Sequence, residues 1–137
     1  MTWQPAPLTP VDVPALACAY LRPALAGVWV SDARPTEDEA KAAGRPEYPA
    51  RVVSVRRDGG PIDGDLDRAM LGVNVWGPTR KTAFDLAAEV VRLLLAWPTP
   101  GAAKTPTNVR CTMTPSIVPD GDPPHFYAVF SAAFRVS

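Results

Sequence analysis

The stretch AMLGVNVWGPTRKTAFDLAAEVVRLLL, residues 69–95, carries two different periods and decides how the rest of the chain is read. From Ala69 to Trp76 the side chains alternate, with Leu71, Val73 and Val75 on one side and Met70, Gly72, Asn74 and Trp76 on the other. That period of two is the signature of a strand. Gly77-Pro78-Thr79 ends it, and from Thr79 a helix follows in which Phe84, Ala87, Ala88, Val91, Leu94 and Leu95 recur at spacings of three and four. Lys81, Asp85, Glu89 and Arg92 make its wet face, with Lys81 and Asp85 placed to pair one turn apart.

Upstream, Val53 and Val55 alternate with Ser54 and Arg56 in a strand over residues 51–57, which Asp58-Gly59-Gly60-Pro61 stops. Val28-Trp29-Val30 is a shorter strand. Before it, Asp12 is placed to cap a helix with Pro14 in its first turn and Leu16, Ala19 and Tyr20 at helical spacing, and Pro23 ends or kinks that helix. Downstream, Val109, Cys111 and Met113 alternate with Arg110, Thr112 and Thr114. A turn over 119–124 leads to a last strand, His125 to Val136, where Phe126, Phe130 and Phe134 share a face with Ala128 and Ala132. Large residues alternating with small ones suit a strand lying under a helix.

The predicted order is α-β-β-β-α-β-β: an α+β domain spanning 1–137, with a mainly antiparallel sheet of about five strands and two helices on one face. The 17 prolines cluster at 5–14, 35–49, 98–106 and 115–124, between the periodic segments, and mark loops. Residues 34–50 form an extended connection in which Thr36 could cap a turn of helix over 37–43, and 98–106 is a Pro/Gly-rich linker.

Composition excludes several classes. The 137 residues carry 14 basic and 14 acidic side chains, so the standing positive excess that nucleic-acid or anionic-membrane binding requires is missing. No apolar run approaches the ~20 residues of a membrane span, and nothing at the N-terminus suggests export. Cys18 and Cys111 lack CxxC spacing and read as two reduced, small apolar residues.

Chemistry-bearing motifs are few. His125 is the sole histidine, without the partners of a metal site, and reads as a satisfied surface histidine. No GxSxG, HExxH or GxxxxGK[ST] occurs. Asp58, Asp63, Asp65 and Asp67 fit no calcium loop and are flanked by Arg56, Arg57 and Arg68, so they read as a solvated turn. Arg51, Arg56 and Arg57 read as partners in ion pairs between subunits. No catalytic centre, cofactor or metal site is expected.

Several pieces together resemble the tail terminator proteins of long-tailed bacteriophages. They are Asp12-Val13-Pro14-Ala15-Leu16 through Tyr20-Leu21-Arg22, Val28-Trp29-Val30, and Val53-Ser54-Val55-Arg56-Arg57-Asp58-Gly59-Gly60. Leu66-Asp67-Arg68 and Val73-Asn74-Val75-Trp76-Gly77-Pro78-Thr79 follow, with Ala83, Leu86 and Ala87 in the next helix. The resemblance spans nearly the whole chain and departs from the family pattern in the 34–50 and 98–106 segments. It implies a virion structural protein, assembled in the host cytoplasm, that forms a ring of most often six subunits on the tail tube. Its partners would be its own copies, the tail tube protein and the head-side connector or head-closure protein, with DNA passing only as cargo through the lumen and no membrane involved. Capping an open-ended head-to-tail polymer requires binding one end without regenerating the polymerising surface. The candidate subunit-interface residues are Arg51, Arg56, Arg57, Asp58, Asn74 and Trp76, and the loops at 34–50 and 98–106 are candidates for contact with tube or connector. A head-closure or tail-completion neck protein is the nearest alternative, and a small α+β ligand-binding domain or enzyme is another.

Overall fold

A computed structural model of the chain describes residues 11–45, 47–99, 104–119 and 121–136. The proline cluster before Val11 and residues 100–103 of the 98–106 linker lie outside them, as does Asp120 of the turn before the last strand.

Helix α1 (Val13–Leu21) starts where Asp12 accepts the Ala15 N–H at 3.3 Å, with Pro14 in the first turn, where its missing donor is harmless. Pro23 stops it: Arg22–Ala24 is a single 3-10 turn that leads to β1 (Trp29–Ser31). In the 34–50 segment, α2 (Glu37–Ala42) is closed by a capping box. The Thr36 hydroxyl accepts the Glu39 N–H (3.1 Å), and the Glu39 carboxylate accepts the Thr36 N–H (3.2 Å). Strands β2 (Val52–Gly59) and β4 (Leu66–Trp76) are joined through a two-residue strand, β3 (Ile62–Asp63), which pairs with the start of β4. Helix α3 (Arg80–Leu95) is capped by Thr79, and β5 (Asn108–Ile117) and β6 (His125–Arg135) form the closing hairpin.

The architecture is α+β, as the sequence predicts, with six strands and three helices among the described residues in place of about five and two. The sheet order is β1-β2-β4-β6-β5, with β3 beside β4. Two features differ from an antiparallel arrangement of sequence neighbours. Strand β1 runs parallel to β2, because the intervening segment with α2 carries the chain back to the starting end of the sheet. Helix α3 likewise returns the chain, so β5 runs in the same direction as β4 and the antiparallel β6 fills the place between them.

Placed centrally, β6 needs its alternation of large and small. Phe126, Ala128, Phe130, Ala132 and Phe134 are all buried on the face that receives α1 and α3. Val53 and Val55 of β2 and Ala69, Leu71, Val73 and Val75 of β4 complete that face. The Tyr20 hydroxyl donates to the Leu93 carbonyl (2.6 Å), Tyr20 stacks on Trp97 (5.3 Å), and Trp97 meets Phe134 edge-on (5.4 Å), which ties both helices to the sheet.

Both helices sit rotated from the stripes read in sequence. Helix α1 buries Val13, Ala17, Cys18 and Leu21, and leaves Ala19 exposed. Helix α3 buries Ala83, Leu86, Ala87, Val90 and Leu94, so Phe84, Ala88 and Leu95 lie outside. Two apolar stripes overlap on α3, and periodicity alone cannot rank them. The sheet selects the one whose small residues, Ala83 and Ala87, permit close approach, which leaves the stripe bearing Phe84 exposed.

Candidate interaction surface

The six candidate residues do not form one cluster. Strand parity places Arg56, Asp58, Asn74 and Trp76 on the sheet face away from α1 and α3, since Ser54 pairs with Asn74, Val52 with Trp76 and Arg56 with Gly72. Arg51, just before β2, instead donates through Nη2 to the Ala26 carbonyl at 3.2 Å and braces the turn that precedes β1.

Arg57 is engaged inside the fold. Its Nη1 and Nη2 donate to the two carboxylate oxygens of Asp67 at 2.8 and 2.5 Å, and Nε and Nη2 also donate to the carbonyls of Gly59 and Gly60. Asp67 is fully buried and also accepts the backbone N–H of Val11. The Arg57 hydrogen bonds hold its carboxyl below the usual carboxylate range, against the opposing effect of burial. One reading is thereby corrected: Asp67 is not part of a solvated turn. Within the chain Arg57 pairs with it, and its guanidinium joins β2, the Gly59-Gly60 turn and β4. Both belong to the pieces that carry the family resemblance, so the fold unites Arg57-Asp58-Gly59-Gly60 and Leu66-Asp67-Arg68 through one bidentate pair.

On the open face, Asp58 accepts from Arg56 Nε (2.8 Å) and from the Tyr127 hydroxyl (2.8 Å). The hydrogen bond to Asp58 raises the Tyr127 phenol above its ordinary value. Asp58 reaches Tyr127 by crossing over Gly72, where a Cβ would lie 2.2 Å from Asp58 Oδ2. Gly72→Ala is therefore expected to displace the carboxylate and return the Tyr127 phenol toward its ordinary pKa, measurable by ultraviolet titration.

Further along the same face, Asn74 is buried and its Oδ1 accepts from His125 Nε2 at 2.6 Å, so that nitrogen carries the proton. His125 stacks on Trp76 (4.4 Å, 17° between planes). Burial first, and then the Arg34 charge, lowers the His125 pKa, which keeps the ring neutral at pH 7. Arg34 lies 5.3 Å from the Trp76 ring centre and 5.6 Å from that of Tyr48, and Arg45 lies 5.4 Å from Trp29. The 34–50 segment is thus laid against this face of the sheet. His125 is satisfied, as read, although it opens a strand and is half-buried.

Sequence reasoning missed Tyr127, Arg34, Tyr48 and Trp29 as members of this surface. Alternation along β6 does put His125 and Tyr127 on a common face, but only the β4–β6 register, with Trp76 opposite His125 and Asn74 opposite Tyr127, joins them to the candidates.

A second surface lies along the outer edge. Of the six exposed large apolar side chains among the described residues, Phe84 and Leu95 project from α3, and Met113 and Ile117 from β5. Phe84 meets Phe126 edge-on at 5.6 Å, and Ile117 pairs with Phe126 in the ladder, so these two flank one ring on the helix side, whereas Met113 pairs with Val129 and faces the open side. The outer backbone of β5 has no neighbouring strand among the described residues. The opposite edge, β1, is only three residues long, and Arg22 Nε donates to its Val30 carbonyl (3.1 Å).

Burial raises the thiol pKa of both Cys18 and Cys111, and the two cysteines are free. Among the described residues no group of three His, Cys, Asp or Glu side chains is placed to hold a metal ion, and no helix is long and apolar enough to cross a membrane. No protein-family model matches the chain, and no curated protein matches it.

Proposed function

We propose that this chain is a tail terminator of a long-tailed bacteriophage: a ring-forming protein that caps the tail tube, stops its growth and offers its other face to the head-side connector. The observation that carries the reading is the α3–β5 edge. It sets exposed Phe84 of the helix and exposed Ile117 of an open strand on either side of Phe126, while the opposite edge is short and has a carbonyl capped by Arg22. A chain with two unlike sheet edges is suited to heterologous contacts between copies, which close into rings when the rotation allows. Apolar side chains with Arg at their margin are the usual content of such seams; here Arg80 lies over Phe126 at 5.9 Å.

The resemblance supplies the identity of the assembly. The Arg57–Asp67 pair makes one unit of two of the segments that carry the resemblance, which are separate in sequence. The mechanism is steric: the subunit binds the last tube ring without presenting a new copy of the surface to which tube subunits add. No bond-making step is required.

Phe84→Glu gives up the edge-on contact with Phe126, worth about 0.5–1.5 kcal/mol, and Ile117→Glu alters a half-exposed strand position, so thermal unfolding must first show that both variants fold. Together they should abolish rings in electron micrographs of the purified protein or of tails. Assembly equal to wild type would move the seam elsewhere. Deleting the gene should give tails of uncontrolled length, and tails of normal length would refute the role. A neck protein of the head-closure kind would instead be found on filled heads and be absent from headless tails, so labelling both particles separates the two.

A further inference from the structure

Residues 34–45 rest on the sheet through two tryptophans, and Tyr48 closes them off. The Tyr48 hydroxyl donates to the Pro35 carbonyl at 2.7 Å, which ties the ends of the segment together. Arg34 reaches the rings of Tyr48 and Trp76, and Arg45, beyond the end of α2, reaches Trp29. His125 lies on Trp76 and is held by Asn74. Tyr48, Arg34, Trp76 and His125 therefore make one stack, in which a guanidinium brought by the segment and an imidazole belonging to β6 share a single indole. We propose that residues 34–45, closed by Tyr48, form a strap over the open face of the sheet, and that a proton taken up by His125 loosens it.

The argument is one of reciprocity. The strap brings Arg34 to Trp76, the ring on which His125 stacks, and after burial the Arg34 charge also disfavours the imidazolium. Whatever the closed strap does to the proton affinity of His125, a proton on His125 must do in equal measure to strap closure. The sign follows. With the strap closed, His125 binds its proton at lower pH than with the strap open, so closure is complete above the ordinary histidine pKa of about 6.5 and weakens as pH falls through it.

The groups around His125 from each neighbouring element fit this account. From β4 they are Trp76 and Asn74, both uncharged, and from the strap Arg34, with Tyr48 behind it. Arg80 lies over Phe126, whose side chain faces the other side of β6, and Asp122 stands three residues upstream in the turn. The strap also carries Glu37, Asp38, Glu39, Lys41 and Glu47. The inference is independent of the phage reading, since it concerns only this chain and protons.

Amide hydrogen exchange of residues 37–42 in the intact protein, corrected for the intrinsic pH dependence, tests it. Between pH 7.5 and 5.5 the wild-type protection should fall by about threefold or more. His125→Gln keeps a donor for Asn74 and has no charge to gain, so its protection should change less than about twofold. Arg34→Ala should show low protection at both pH values. In parallel, NMR titration should find the His125 pKa higher in Arg34→Ala than in wild type. An unchanged wild-type strap, an equal fall in His125→Gln, or an unmoved His125 pKa in Arg34→Ala would each overturn the proposal.

Discussion

Replacing Arg57 with alanine is expected to cost about 3–5 kcal/mol of folding stability, the usual penalty for stranding one member of a buried ion pair. Asp67 is fully buried, and the guanidinium supplies two of its hydrogen bonds while also holding the Gly59 and Gly60 carbonyls. Without it, a carboxylate remains in the interior with, among the described residues, only the Val11 N–H as partner. Urea denaturation measures the loss, and a cost under about 1 kcal/mol would contradict the assigned role. Asp67→Ala should cost less, because the Arg57 side chain keeps 28% exposure and can find water. A double replacement by apolar residues of similar volume should recover much of the loss.

The pair also sets an acid limit. In the folded protein the Asp67 pKa is depressed, so the unfolded chain takes up the proton first as pH falls. The contribution is complete above the unfolded value of about 3.9 and disappears as pH drops through the lower, folded value. In Arg57→Ala the sign should reverse. Burial then raises the Asp67 pKa, and the variant should lose its deficit relative to wild type as the pH approaches 4.

Gly60→Ala is expected to cost about 3 kcal/mol, from two sources that a neighbouring glycine separates. At Gly60, φ is +102°, and a Cβ would sit 1.9 Å from the Arg68 carbonyl oxygen and 2.9 Å from the Met70 nitrogen, both backbone atoms of β4. Left-handed strain accounts for about 1–3 kcal/mol and the enforced shift of backbone for a similar amount. Gly59 has φ +141° with nothing within 4 Å of its Cβ position, so Gly59→Ala carries the strain alone. Thermal unfolding of the two variants should therefore rank Gly60→Ala well below Gly59→Ala. Equal midpoints would mean that the turn relaxes away from β4.

These results bear on how an intersubunit seam can be tested. A charge reversal at Arg56 and Arg57 together would set a second carboxylate against Asp67, and its failure to assemble would report misfolding. Arg56 alone is suitable: its side chain is 60% exposed and its bond to Asp58 is a surface one, worth about 0–1 kcal/mol. Arg56→Glu should leave the fold intact and report only on what touches the open face.

Much of the fold was legible because local chemistry dictates it. Asp12 with Pro14, Thr36 with Glu39, and Thr79 announce their helices in the residues that satisfy the first-turn N–H groups, and strict alternation marks β4 and β6. The two-residue β3 left no periodic trace. The parallel β1–β2 pair and the place of β6 between β4 and β5 depend on how far connections reach, which no local pattern records.

The candidate site divides along the same line. Residue type alone made Arg56, Asp58, Asn74 and Trp76 worth naming, and strand parity alone put them on one face. Sequence by itself determined the element types, the caps and the balance of charge, because each rests on interactions within a few residues. Tertiary structure alone decided that Arg57 turns inward to Asp67, that Arg34 reaches Trp76 beside His125, and that α3 leaves Phe84 and Leu95 exposed. Each of those outcomes couples residues far apart in the chain, and their energies exist only once register and packing have brought the partners together.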